Sequence, residues 1–224
     1  VLSAEGRLLY QGSRVKLDGY QYCSLAVAQA ERGELRNSIR SASAALHVGQ
    51  AQENDDLVAV AKRDLAIAYS YAGDLAHAEQ YAKEALAHKA NDPRIVAGPA
   101  YKTLGDVEAR RGKFAEAIGW YAKAADAASE RFRPLVQISL ANAYVAAGDQ
   151  ARARALYDSI PAPEPELSGP YRRGLGNLML LEGKAGEARQ AFAVAAREAS
   201  GSDAAYHRVW ALEGMARAEL ALGN

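Results

Sequence analysis

Side chains able to do chemistry are few in this chain of 224 residues, and their spacing does not assemble a reaction centre. None of the four histidines, His47, His77, His88 and His207, stands three or four residues from another. That spacing would put two imidazoles on one helix face for a metal ion. Cys23 is the single cysteine, so neither an internal disulfide nor a four-cysteine zinc site can form. A thiolate nucleophile would need a base or cation beside it; the sequence makes Cys23 a partly buried structural thiol. "RGLGN" at 173–177 contains Gly-x-Gly but lacks the third glycine and the preceding strand of a dinucleotide site, and close helix packing accounts for both glycines. Asp55 and Asp56 read as a solvated helix start. No phosphate-cradling loop with lysine, metalloprotease helix or serine elbow is present in the sequence. The expectation is a non-enzyme that needs no cofactor and no metal.

What remains is a scaffold. Half the residues are hydrophobic and 24% are charged, which is the composition of a folded chain. Alanine dominates the apolar share, while there are 3 Phe and 2 Trp, so helices packed through small side chains are expected rather than one aromatic core. The 27 basic and 27 acidic residues cancel, which argues against nucleic acid as a partner. No apolar run approaches the roughly eighteen residues of a membrane span, so membrane insertion is not expected. The opening "VLSAEGRLLYQG" has neither an initiator methionine nor the plan of a signal peptide. The reading is an internal fragment of a larger protein, with localisation open and the cytoplasm preferred.

The chain repeats itself. "LGDVEARRGKFAEAIGWYAKAA" (104–125) aligns with "LAVAQAERGELRNSIRSASAAL" (25–46), "LAIAYSYAGDLAHAEQYAKEAL" (65–86), "LANAYVAAGDQARARALYDSI" (140–160), "LGNLMLLEGKAGEARQAFAVAA" (175–196) and the shorter "MARAELALGN" (215–224). The marker glycines are Gly33, Gly73, Gly112, Gly148, Gly183 and Gly223, spaced by 40, 39, 36, 35 and 40 residues. Seven residues before each marker stands a small residue: Ala26, Ala66, Gly105, Ala141, Gly176 or Ala216. Five after it stands another: Ser38, Ala78, Ala117, Ala153 or Ala188. A larger or small filler follows four later (Ala42, Ala82, Tyr121, Tyr157, Phe192), and a further apolar residue three after that. Steps of four and three keep these residues on one helix face. The marker glycine supplies the left-handed backbone that ends one helix and turns into the next.

This pattern resembles the tetratricopeptide repeat, over about residues 20–224. The resemblance implies an all-α, right-handed superhelical solenoid of antiparallel helix pairs in one tandem-repeat domain, 1–224. Its pairs would cover 20–50, 54–90, 93–129, 134–163 and 168–199, with a truncated sixth at 203–224. Helices are expected over 18–31, 35–48, 56–72, 75–89, 94–111, 114–129, 134–147, 150–159, 170–182, 185–198 and 203–222, and residues 2–16 as a helix left from an earlier repeat. The breaks fall at "ANDPR" (90–94), "RFRP" (131–134) and "SGSD" (200–203). "IPAPEPELSGP" (160–170) is expected as a rigid connector with Pro170 in the first turn of the next helix. Departures from the family are the long spacings, against about 34 residues in its usual repeat, and the closing proline, matched at Pro165 but not at Ala90 or Ser129.

By the same resemblance, the first helix of each pair lines a concave groove that holds a peptide or partner helix. Its positions lie ten and six residues before each marker: Cys23, Arg63, Lys102, Ile138, Arg173, Glu213 and Val27, Ile67, Asp106, Asn142, Asn177, Arg217. The candidate groove set is Arg63, Ile67, Lys102, Asp106, Asn142, Arg173 and Asn177. Its cations suit acidic partners, and its amides suit an extended backbone. The family's carboxylate clamp is incomplete here, because Ser24, Asp64 and Gly174 occupy positions where its polar or basic groups are needed. The implied function is a protein–protein interaction scaffold that binds a peptide, a partner domain or another domain of its own parent chain. Its alanine-rich repeats of near 40 residues resemble those attached to bacterial regulators and bacterial caspase-like proteases, where the array senses or restrains an effector. The alternative is a self-associating structural array in a secretion or envelope assembly.

Overall fold

A computed structural model describes residues 7–10, 13–88, 91, 93–161, 165–198 and 204–223. The elements are β1 (Arg7–Tyr10), β2 (Ser13–Lys16), α1 (Gly19–Glu31), α2 (Leu35–Ala51), α3 (Asp55–Ala72), α4 (Leu75–Ala87), α5 (Pro93–Arg110), α6 (Phe114–Ala127), α7 (Arg133–Ala146), α8 (Gln150–Ser159), α9 (Pro165–Leu181), α10 (Ala185–Glu198) and α11 (Ala204–Leu222). The chain forms two compact units, residues 1–107 and 108–224. Among the described residues no helix is long and apolar enough to cross a membrane.

The helix pairs follow from how their turns close. Among the described residues, the glycines at positive φ are Gly33, Gly73, Gly112, Gly148, Gly183 and Gly223. These are the six markers. At Gly33 the amide donates to the Ala30 carbonyl and the next amide, of Glu34, reaches back to Gln29. The same two bonds recur at Gly73, Gly112, Gly148 and Gly183. This arrangement satisfies the last carbonyls of a helix and reverses the chain at once. Asp74 and Asp149 then cap the next helix, accepting from the amides of His77 and Arg152.

In the first unit α1 packs on α2, α2 on α3, α3 on α4, and α1 on α3. The small residues mark the crossings. Ala26, Ala66, Ala42, Ala45, Ala78, Ala82 and Ala85 are all buried, and the Ser38 hydroxyl donates to the Ala26 carbonyl of the facing helix at 2.7 Å. Such a bond across two helix backbones requires side chains no larger than these at the crossing. In the second unit α7 packs on α8, α9 on α10, and α10 on α11. There the fillers are large: Tyr157 and Phe192 are fully buried, and the ring of Phe192 lies where a Cβ on Gly176 would come within 2.8 Å.

Three expectations are corrected. Residues 7–10 and 13–16, expected within a helix over 2–16, are strands: β1 and β2 pair antiparallel with Leu8 opposite Val15 and Leu9 opposite Arg14. The segment has Leu, Tyr and Val around Gly12, which suits short strands and would break a helix. Second, α2 runs three residues past 48, through a buried Gly49 that packs against Val58. It ends with Glu53 at φ 51°, whose neighbour Asn54 donates back to the Gly49 carbonyl. Third, α9 starts at Pro165, so Pro170 lies inside the helix and not in its first turn. The expected breaks at residues 89–90, 92, 162–164 and 199–203 lie outside the described residues, as do residues 1–6.

Two substitutions probe this account. Ala117 is fully buried beside Tyr121 and Ala143; Ala117→Leu should overpack that crossing and cost about 1–3 kcal/mol in urea melts. Glu53 holds the left-handed position that glycine holds in the other turns, so Glu53→Gly should stabilise the chain by about 0.5–1 kcal/mol. A neutral Ala117→Leu or a destabilising Glu53→Gly would contradict the assigned packing and turn.

Candidate functional site

First helices of neighbouring pairs lie side by side in the first unit, and between them the surface opens. A cleft of about 620 Å³ is lined by Tyr20, Cys23, Ser24 and Val27 of α1, by Asp56, Val60 and Arg63 of α3, and by Asn91, Ile95 and Val96 at the start of α5. The α1 and α3 residues recur at three- and four-residue steps, one face of each helix. Tyr20 and Ile95 are 48% and 52% exposed, while Val96 is buried below them. The wall beside α5 is pinned by Asp56, which accepts from the backbone amide of Asn91 at 2.7 Å and from its side-chain amide.

Arg63 is fixed rather than mobile. Its Nε and Nη2 donate to Asp64 Oδ1 at 2.8 and 2.6 Å, and its Nη1 donates to the Ile95 carbonyl at 2.9 Å. Asp64 is almost wholly buried. Its Oδ2 is buried without a hydrogen-bond partner, and the Cys23 thiol, a weak donor, stands close to the carboxyl. Burial pushes the Asp64 carboxyl above its ordinary range, against the pull of Arg63. Burial, and then the Asp64 charge, push the Cys23 thiol up as well. Cys23 is therefore a protonated thiol at neutral pH, a poor nucleophile.

The other groove candidates in this unit are Ile67, Lys102 and Asp106. Ile67 is half-buried one turn beyond Arg63 and does not line the cleft. Lys102 Nζ bonds Asp106 Oδ2 at 2.8 Å along one face of α5. Arg63 and Lys102 thus each hold a carboxylate of their own helix, and the local positive charge expected from sequence is largely cancelled.

In the second unit Asn142 Oδ1 accepts the Tyr157 hydroxyl at 2.8 Å. That hydroxyl occupies the space where a Cβ on Gly174 would stand, so the glycine leaves room for a tyrosine–asparagine bond. Asn177 Oδ1 accepts from Arg217 at 2.8 Å, and Arg217 lies 3.7 Å from Glu213. The Arg173 guanidinium stands 5.9 Å from the centre of the Trp210 ring. The structure brings Asn177 and Arg217 into contact, while Asn142 is engaged with a second helix. Ile138, another groove-register position, is buried.

Of the groove-register positions, Cys23 and Val27 of α1 and Arg63 of α3 line this cleft. The groove set did not include Tyr20, Ser24, Asp56, Val60 and Ile95, which also line it. The missed signal is the same register continued one or two turns toward each helix N-terminus, where these residues line the cleft.

Neither a family model nor a curated protein matches the sequence. Solved structures do match the fold. Two are of a Podosopora anserina protein described as "putative kinesin light chain nearly identical TPR-like repeats", one of them a form in which a glutamine is replaced by methionine. The substituted form superposes with a TM-score of 0.56 and the other with 0.54. Both are 15% identical over 80% of this chain and 93% of theirs. The fold is TPR-like. At this identity the likeness concerns helix packing and turns, and the TPR-like frame explains why first helices here stand side by side.

Asp64 gives a test of the site's electrostatics. A carboxyl whose folded pKa is raised contributes stability that is full below its unfolded pKa, about 4, and lost as pH rises through the folded value. Asp64→Asn should remove that loss. The urea midpoint of wild type should fall relative to that of the variant as pH rises above about 4. A flat difference would mean that Arg63 alone satisfies an ionised Asp64.

Proposed function

We propose that this chain is a protein-interaction module whose TPR-like first unit receives an apolar segment of a partner in the cleft between α1, α3 and α5. The observation that carries this reading is the cleft itself: a rigid concavity with half-exposed Tyr20 and Ile95 beside it, valines within it and a fixed arginine. Concave, largely apolar sites with a few oriented polar groups are where proteins hold ligands. The Arg63 guanidinium, held by Asp64 and the Ile95 carbonyl, orients the partner's polar backbone more than it attracts charge. The partner is another protein or another domain of the same parent chain.

Because the cleft cations are already paired, recognition rests on apolar side chains. Peptides selected from a random display library against the 224-residue chain should carry large apolar residues. Their affinity should change little from low salt to physiological ionic strength, since the charges beside the cleft are internally balanced. Ile95 is exposed, so Ile95→Glu should leave the thermal melt intact while weakening the selected peptides at least about tenfold. Equal binding by Ile95→Glu would remove the cleft from the account. Acidic peptides with steep salt dependence, lost in an Arg63→Ala, Lys102→Ala, Arg173→Ala variant, would instead support a basic groove.

A further inference from the structure

The last helix, α11, is apolar on two sides. Ala211, Gly214 and Ala218 are buried, and a Cβ on Gly214 would run into the ring of Phe192 from α10. On the other side Val209, Leu212 and Leu220 are 65%, 50% and 73% exposed, with Ala216 exposed between them. Steps of three, four and four residues set these four on one stripe. A surface helix normally turns polar residues to solvent, and a continuous apolar stripe marks a place of interaction.

The complete helix pairs show what kind of surface covers this face. Ala26, Ala66, Ala141 and Gly176, each seven residues before a marker glycine, are buried in first helices that pack on the second helix of their pair. Their counterpart before Gly223 is Ala216, and it is exposed. The α11 stripe is thus the face that these pairs cover with an antiparallel helix bearing a small residue at the crossing.

We propose that a second copy of this chain supplies that helix: two α11 helices pair antiparallel about a two-fold axis at Ala216. The stripe is self-complementary. Leu212 and Leu220 stand four residues before and after Ala216, so each meets the other in the second copy. Ala216 on the axis places a small residue on both sides of the crossing, as the internal pairs do. Glu213 and Arg217 border the stripe; in this register each Glu213 falls within about 3 Å, along the axis, of the second copy's Arg217. Isologous contacts of this kind close at two subunits and do not propagate. One helix pair is small beside the roughly 800 Å² per partner of stable complexes, so the dimer is weak, with a dissociation constant of roughly 10 μM to 1 mM.

Sedimentation equilibrium on the 224-residue chain, taken to about 1 mM, tests the idea. A monomer–dimer equilibrium that saturates at two copies is expected. Leu212→Glu with Leu220→Glu, both at exposed positions, should leave the circular dichroism melt unchanged and raise the dissociation constant at least about 100-fold. Ala216→Cys should cross-link rapidly to a disulfide dimer under mild oxidation, whereas the exposed Ala155→Cys should not. A monomer throughout, a dimer indifferent to the double substitution, or growth beyond two copies would each overturn the proposal. So would a monomer that binds a peptide of residues 184–198, since the face would then take a second-type helix from elsewhere.

Discussion

Close helix crossing through small side chains is the interaction on which this structure depends. With Ala26 facing Ser38, the backbones come near enough for a hydroxyl to reach a carbonyl across the crossing. With Gly176 or Gly214 there, the helices leave room for the ring of Phe192. Each solution fixes the local distance between first and second helix, and that distance sets how far apart successive first helices stand. The left-handed glycine turn is its necessary companion, because only an immediate reversal brings two small residues five and seven positions from the turn into register.

That geometry has a consequence for charge. Groove-register residues on first helices stand beside their own helix neighbours, so lysine and arginine there find carboxylates locally: Arg63 with Asp64, Lys102 with Asp106, Arg217 with Glu213. The pairs orient the side chains but leave little net field. Arg63 is the most constrained, since it also holds the Ile95 carbonyl and so ties α3 to α5. The cleft is held open by polar contacts at its rim, Asp56 to Asn91 and Arg63 to Ile95, and lined by apolar groups within.

Asp64 is the local exception to good packing. One of its oxygens takes two bonds from Arg63, and the other is buried without a hydrogen-bond partner. A buried carboxylate with half its bonding capacity unmet costs stability. It is retained where it locks an arginine at the cleft, the place where a fold most often keeps a destabilising group.

The sequence by itself determined the order of helices α1 to α11, the six turn glycines and the small residues at each crossing, because those depend on periodicity and on backbone angles that glycine alone adopts freely. It determined most helix ends to within two residues for the same reason. Tertiary structure decided where the surface opens and what the polar groups do there. Arg63 and Lys102 carry positive charge in any sequence reading, and only packing shows each already holding a carboxylate. Asn142 is a free amide on paper, and only the approach of Tyr157 past Gly174 occupies it. Tyr20 and Ile95 have no mark in the repeat pattern, and only the packed structure shows them exposed at the cleft. The pairing of Arg7–Tyr10 with Ser13–Lys16 likewise is strand structure, which a helix-based repeat gives no reason to expect. Periodicity records which face of a helix is buried; it does not record which neighbour buries it, or where no neighbour does.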